Sequence, residues 1–323
     1  MNAETSPIRR VIVLGGGYMG TGILQVLALA GIDCVVTDAD EEKTQAAYRA
    51  SLDLAASYEA RGYFPKGAAA TIETHTTPVG GLAAAVDGAE LVIEAVPEQL
   101  DLKRSVFADL EALVPNETIL ASNTSSIPIA SLSKALRRPE RLYGVHWFNP
   151  AQFMPTVEVI ASSDASPSAT SRILQLLRHA GRTPVVVADS PGFVANRLQF
   201  ALFREAALMV EQGLVTPDRL DEVVRGSFGY RLPFFGPFAI ADIAGLDVYA
   251  AIFETLESSL GPRFSCPPGL RERVAAGQLG LKSGRGYRTF NAQQRARIAD
   301  DRDRAYVTMA TALAKWQSDG APT

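Results

Sequence analysis

The sequence predicts an α/β chain, a doubly wound sheet followed by an all-α C-terminal domain, and three observations carry that prediction. Short, wholly apolar runs alternate with helical patterns from Val11 to Val187. A glycine-rich turn, Gly15-Gly16-Gly17-Tyr18-Met19-Gly20, directly follows the first of these runs. After Ala188 the strand-like runs stop and helical composition takes over. Apolar strands separated by helices mark a parallel sheet covered on both faces.

Each element follows from local composition. Val11–Leu14 reads as a buried strand and Met19–Ala30 as a helix, with Gly31 just past its end, where glycine accepts positive φ. Cys34–Thr37 is a second strand ending at Asp38, and Glu41–Arg61 is helical. Leu91–Val96, Thr118–Ser122, Leu142–Trp147, Thr156–Ile160 and Val185–Val187 supply further strands, with a helix over Leu100–Leu113. Pro191-Gly192 is a break. Phe193–Gln212, Pro217–Arg225 and Leu246–Leu260 then read as helices, the second opened by Thr216 as N-cap and Pro217 at the first helical position. From Asn291 the chain is charged or alanine-rich and reads as a loosely held helix. The domain boundary falls near Asp189, giving a sheet domain over 1–188 and a helical domain over 189–323.

Composition narrows the function. Hydrophobic residues are 47% and the net charge is only −4, which excludes a disordered chain. The 35 acidic residues outnumber the 31 Lys and Arg, so no broad basic surface for nucleic acid is expected. Val11–Ile32 is uncharged and long enough to span a bilayer, but four glycines between 15 and 20 would break an isolated membrane helix. No membrane partner is expected. Two cysteines, Cys34 and Cys266, fit a reducing compartment, and the short polar start has no signal-peptide pattern, so the expected location is the cytoplasm. No cluster of His, Cys and carboxylates has metal-ligand spacing, and no metal is expected.

The glycine turn matches G-x-G-x-x-G between a strand and a helix, the context that gives this pattern its value as a dinucleotide site. Gly15 permits the tight turn, Gly17 lets the backbone approach a pyrophosphate, and Gly20 lets helix and strand pack closely. The helix start then offers unpaired N–H groups and the positive end of its dipole to the phosphates. Asp38, at the end of the second strand, can accept hydrogen bonds from a ribose diol; the alternative is that it merely starts a turn, and the glycine loop favours the ribose. Asp40, Glu41 and Glu42 follow it, and a 2′-phosphate would meet negative charge there. The cofactor expected is therefore NAD rather than NADP, bound by a Rossmann-type domain.

Of the three histidines, His75 has no partner motif and His179 ends a predicted helix. His146 ends an apolar strand, and twelve residues later Glu158 stands between Val157 and Val159. A carboxylate flanked by valines needs a partner if buried, and a His with such a partner is an oriented general base. Spacing alone leaves open a lone core histidine.

Gly144-Val145-His146-Trp147-Phe148-Asn149-Pro150 and Val157-Glu158-Val159-Ile160 resemble the L-3-hydroxyacyl-CoA dehydrogenase family. So do Ala121-Ser122-Asn123-Thr124-Ser125-Ser126, Pro191-Gly192-Phe193-Val194-Ala195-Asn196-Arg197, Gly236-Pro237-Phe238 and Gly280-Leu281-Lys282-Ser283-Gly284-Arg285-Gly286-Tyr287. The glycine loop with Met19 fits the same pattern, and the resemblance runs over roughly residues 8 to 290. It implies that a short-chain (S)-3-hydroxyacyl-CoA is oxidised to the 3-ketoacyl-CoA with NAD in fatty acid metabolism. His146 would take the hydroxyl proton and Glu158 would hold the other imidazole nitrogen. Ser125 and Asn196 would bond the substrate oxygen. Gly15, Gly17, Met19, Gly20, Asp38, Glu98, Lys103, Ser125, Asn149 and Lys282 would bind the cofactor, and the helical domain would form a homodimer. Taken singly, Ser125 and Ser126 would serve as helix caps, Asn196 as a helix-start residue, Lys103 as a solvated side chain and Lys282 as an ordinary loop residue.

The sequence also departs from the family. CoA-using members carry a helix–loop–helix after the second strand that is often lysine-rich. Here residues 42–71 hold only Lys43, Arg49, Arg61 and Lys66 as basic groups, among Tyr48, Tyr58, Tyr63 and Phe64. A non-CoA 3-hydroxy acid resembling carnitine or L-gulonate is the alternative substrate, with Arg231 or Arg197 available to its carboxylate. A redox-inactive, crystallin-like NAD-binding protein is a further alternative, as is a domain detached from a larger β-oxidation complex.

Overall fold

The first strand sets the architecture. In the computed structural model, which describes residues 7–318, β1 (Arg10–Leu14) is buried from Val11 onward and lies inside an eight-stranded sheet. Its residues alternate between two core layers, Val11 and Val13 to one face and Ile12 and Leu14 to the other, as a period of two requires. The first unit continues with α1 (Tyr18–Leu29), β2 (Asp33–Thr37), α2 (Glu41–Ala60), α3 (Ala68–Thr74), β3 (Thr76–Pro78), α4 (Leu82–Ala85), β4 (Leu91–Glu94) and α5 (Leu100–Leu113). It is completed by β5 (Ile119–Ser122), α6 (Ile129–Leu132), β6 (Leu142–Trp147), β7 (Thr156–Ile160), α7 (Pro167–His179), β8 (Thr183–Val187) and the start of α8 (Ala195–Glu211).

Strand order is β3-β2-β1-β4-β5-β6-β7-β8. The order reverses at β1, so the ends of β1 and β4 flank the switch point at which doubly wound sheets hold ligands. Every pairing is parallel except β6 with β7. The expectation of a parallel sheet therefore needs this one correction. The link between β6 and β7 is too short for the crossover a parallel pair needs, and it folds back instead.

Two further differences have local causes. β3 was not predicted, because three residues ending in proline carry no periodic signal. His75 precedes it, and its Nδ1 lies 3.0 Å from the Asp33 carboxylate. Phe193 is not helical: it has φ 48° after Gly192 at 72°, and this turn delays α8 to Ala195.

The chain packs as two compact units that divide between Phe203 and Arg204, inside α8. The strand pattern stops earlier, near residue 188, but the first turns of α8 pack with the sheet unit. The second unit contains α9 (Pro217–Gly226), α10 (Phe228–Arg231), α11 (Pro237–Ala244), α12 (Leu246–Leu260), α13 (Pro268–Ala275) and α14 (Ala292–Ser318). Its small core joins Ala241, Leu246, Cys266 and Leu270, with Phe253 and Tyr287 packed against them. The buried Asp242 carboxylate accepts from the amides of Tyr287 and Arg288 and so holds the glycine-rich 280–288 loop against α11. Among the described residues no helix is long and apolar enough to cross a membrane.

Candidate active site

The glycine turn closes against the sheet. The Gly15 amide donates to the Thr37 carbonyl at the end of β2, and Gly15 has φ 102°, a conformation that favours glycine. A Cβ on Gly20 would overlap the Gly15 carbonyl oxygen, so α1 can pack this closely only without one. Gly17 faces open space, no side chain caps α1, and its first turn holds no acidic residue. These features leave the helix-start amides and dipole available to an anion, which is what a dinucleotide pyrophosphate requires. Met19 lies beside the turn and packs against the core. The Asp38 carboxylate accepts from Gly16 N at 2.7 Å and from Ala39 N at 2.7 Å. An ionised carboxylate has about four acceptor positions, so Asp38 retains capacity for a ribose diol. Lys43, the first basic residue beyond it, lies 3.5 Å from Asp40.

Past the switch point, a buried polar chain holds the loop that carries Ser125. Lys103 is 1% exposed and donates to Glu94 Oε1 at 2.6 Å and to the Val96 carbonyl at 3.2 Å; Glu98 Oε2 lies 3.3 Å away. It is not a solvated side chain. Ser122 donates to the other oxygen of Glu94 at 2.6 Å. Glu98 Oε1 accepts from the Thr124 hydroxyl and from the amides of Ser125 and Ser126. Burial works against ionising Glu98, but the Thr124 hydroxyl, the Lys103 ammonium and the two amides outweigh it and hold its carboxyl below the usual carboxylate range. Glu98 and Lys103 are thus satisfied within the protein, and their geometry fixes the Ser125 loop.

His146 and Glu158 meet because their strands run antiparallel. They are directly opposed in the β6–β7 register, both on the face away from Val145, Trp147, Val157 and Val159. Imidazole Nδ1 lies 2.9 Å from Glu158 Oε2, and both side chains are buried. Glu158 Oε1 accepts from the amides of Val194 at 3.1 Å and Ala195 at 2.9 Å, at the start of α8. The His146 ring packs beside Phe148 at 4.6 Å and Phe193 at 5.6 Å between centroids. With Nδ1 committed to the carboxylate, Nε2 is the nitrogen free to exchange a proton with a hydroxyl.

The same turn delivers Asn196, whose amide donates to the Ser125 carbonyl at 2.8 Å. Asn123 accepts from the Trp147 amide at 2.9 Å, joining the Ser125 loop to the end of β6. Asp189 accepts from the amides of Ile129 and Ala130. Ser125, Asn196, His146 and Glu158 are therefore connected within the first unit. Asn149 is exposed in the β6–β7 link. Lys282 belongs to the second unit, where it pairs with Asp247 at 2.9 Å.

Sequence reasoning missed Glu94, Asn123 and Asp189. Glu94 carried a usable signal, a carboxylate inside an apolar strand as at Glu158; Asn123 and Asp189 carried none beyond their neighbours.

Residues 10–190 match the family model described as 3-hydroxyacyl-CoA dehydrogenase, NAD binding domain, and residues 192–289 match the C-terminal domain of the same enzymes. The chain belongs to the 3-hydroxyacyl-CoA dehydrogenase family. This dehydrogenase is an oxidoreductase with NAD as its cofactor. It is 37% identical over 304 residues to the 5-formyl-3-hydroxy-2-methylpyridine 4-carboxylate 5-dehydrogenase of Mesorhizobium japonicum, covering 94% of this chain and 97% of that one. It is 37% identical over 286 residues to the probable 3-hydroxybutyryl-CoA dehydrogenase of Bacillus subtilis, covering 87% and 96% respectively. The crystal structure of the 3-hydroxyacyl-CoA dehydrogenase from Archaeoglobus fulgidus aligns with TM-score 0.78 at 28% identity, over 95% of this chain and 99% of that one.

The buried Lys103 pairing gives a stability test. Lys103→Ala leaves Glu94 buried without its cation, and removing one partner of a buried ion pair costs about 3–5 kcal/mol. Urea denaturation of this dehydrogenase should show that loss. A cost under about 1 kcal/mol, the range of exposed pairs, would mean Lys103 is solvated.

Proposed function

We propose that this enzyme oxidises the 3-hydroxyl of a short-chain (S)-3-hydroxyacyl-CoA to the 3-ketoacyl-CoA, and runs the reverse reaction, with His146 as general base. The hydrogen bond from His146 Nδ1 to the buried Glu158 carboxylate carries this reading. NAD+, when bound, supplies the hydride acceptor. The substrate hydroxyl hands its proton to His146 Nε2 as the C–H bond breaks, and Glu158 stabilises the imidazolium that forms. Glu158 is itself held by two helix-start amides, so the ring stays aimed. Ser125 and Asn196, linked by their own hydrogen bond, orient the carbinol oxygen. The glycine turn, Met19 and Asp38 hold the dinucleotide, with Asn149 and Lys282 assigned to the same role. Glu98 and Lys103 act through the Ser125 loop.

A second reading has specific support. The Arg61 guanidinium lies over the rings of Tyr58 at 5.1 Å and Tyr63 at 4.7 Å, and Phe153 closes the cluster 5.2 Å from Tyr58. Arg61 lies on the rings, Lys43 beside Asp40 and Lys66 near the Glu59 carboxylate, so only Arg49 of residues 42–71 has no such neighbour for CoA phosphates. The Mesorhizobium relative is named for a pyridine carboxylate. A hydroxy acid without CoA is therefore the alternative substrate class. Initial rates with (S)-3-hydroxybutyryl-CoA, free 3-hydroxybutyrate, L-carnitine and L-gulonate decide between the two. The thioester should be preferred by at least about tenfold in kcat/KM, equivalent to ~1.4 kcal/mol in the transition state. Equal use of thioester and free acid overturns the CoA reading.

His146→Gln should lower kcat by about 10²–10⁴ with little change in NADH affinity, and Glu158→Gln by as much or less. Near-normal turnover of His146→Gln would make His146 a core residue. Because Asp38 and the acidic run behind it repel a 2′-phosphate, kcat/KM should favour NAD over NADP by roughly tenfold or more; equal rates would place Asp38 away from the ribose. We assign a homodimer on the strength of the exposed apolar residues Leu198, Phe200, Leu202 and Phe203 of α8. Sedimentation equilibrium should return twice the chain mass, and a monomer at micromolar concentration would refute it.

A further inference from the structure

The second unit contains a cavity of about 440 Å³ lined by residues of α10, α11 and α14, among them Arg231, Ile240, Ile243, Arg302, Asp303 and Tyr306. That volume is in the range of small-molecule pockets. Its charges do not cancel. Arg302 and Asp303 satisfy each other through Nε at 2.8 Å and Nη2 at 2.7 Å. The Arg231 guanidinium makes no hydrogen bond, ion pair or ring stack with any described residue. The lining thus holds one unbalanced positive charge, on a planar group with five donors and no acceptor.

The walls around that charge are apolar and aromatic. Ile240 and Ile243 come from α11. Tyr306 is fixed by the Tyr230 hydroxyl, which donates to its backbone carbonyl at 2.8 Å, and by ring contacts with Tyr230 at 6.1 Å and Phe235 at 6.3 Å. A guanidinium without a partner in such surroundings favours an anion that can accept two parallel N–H bonds, the geometry of a carboxylate. One ligand charge balances the lining. Arg302, Asp303 and Tyr306 lie in α14, beyond residue 289, where the family match ends, so this cavity is walled in part by a segment outside the family's common domains.

We propose that this cavity binds a small monocarboxylate with a compact apolar or aromatic body. Arg231 clamps the carboxylate, and Ile240, Ile243 and Tyr306 enclose the body. The site rests on residues of the second unit alone.

Benzoate is a suitable probe, titrated into the full chain by calorimetry without NAD. One site per chain is expected. Arg231→Gln should weaken binding by about tenfold or more, ~1.4 kcal/mol, and Arg231→Lys, which keeps the charge but loses the fork, by less. Arg178→Gln, which removes an exposed cation on α7, should leave it unchanged. Benzamide, which has the same shape without the charge, should bind more weakly by a similar factor. Absence of a saturable heat with the wild-type chain overturns the proposal. So does unchanged benzoate affinity in Arg231→Lys and Arg231→Gln, or benzamide binding as tightly as benzoate. If Arg231→Gln does not fold, the Arg231→Lys and benzamide comparisons still decide.

Discussion

The antiparallel pairing of β6 with β7 is the constraint on which the site depends. Side chains alternate strictly along a strand, so a slip of one residue would turn Glu158 to the opposite face and replace it with a valine opposite His146. The correct register is enforced by apolar burial: Val145, Trp147, Val157 and Val159 all enter one core layer, which leaves His146 and Glu158 together on the other face. Cross-strand neighbours in such a pair lie within about 4.5–5.5 Å at Cβ, close enough for a direct hydrogen bond between a histidine and a glutamate. The hydrophobic pattern thus sets the geometry of the polar pair.

The second oxygen of Glu158 extends this arrangement to the next element. By accepting from Val194 and Ala195, it fastens the start of α8 beneath the histidine. The sharp Gly192-Phe193 turn brings those amides into place, and the Phe193 ring fills the space beside the imidazole. Asn196 follows one residue later and reaches the Ser125 loop. That loop is anchored from behind by Glu98, and Glu98 by Lys103, so carboxylates at the two ends of the site hold its loop and its helix. Buried charges are tolerated here because each meets several donors or an opposite charge.

Two features of the molecule lie outside the His146–Glu158 pair. The α2–α3 region presents rings with a guanidinium stacked on them where the CoA-using pattern is often lysine-rich. The second unit adds a helix beyond the family's common domains and a cavity with one unbalanced charge. Neither includes His146, Glu158, Ser125 or Asn196.

The sequence by itself determined the glycine turn, the buried strands and the order of the elements, because each is a local pattern of apolar period and backbone freedom. It also marked Glu158 as a carboxylate in need of a partner, since a charge between valines cannot be left unpaired once buried. It could not determine that His146 is that partner, because a spacing of twelve residues does not say whether the two strands are neighbours in the sheet or in which register; the antiparallel pairing of β6 with β7 decided it. Lys103 looked like an ordinary helix-surface lysine, and only the sheet order brought Glu94 and Glu98 around it. Arg61 is one of four basic residues in its segment, and only the tertiary packing places the Tyr58 and Tyr63 rings against its guanidinium. Local propensity is written residue by residue, but a charge acquires its partner only when segments distant in the chain are brought together, and that is decided by the tertiary structure.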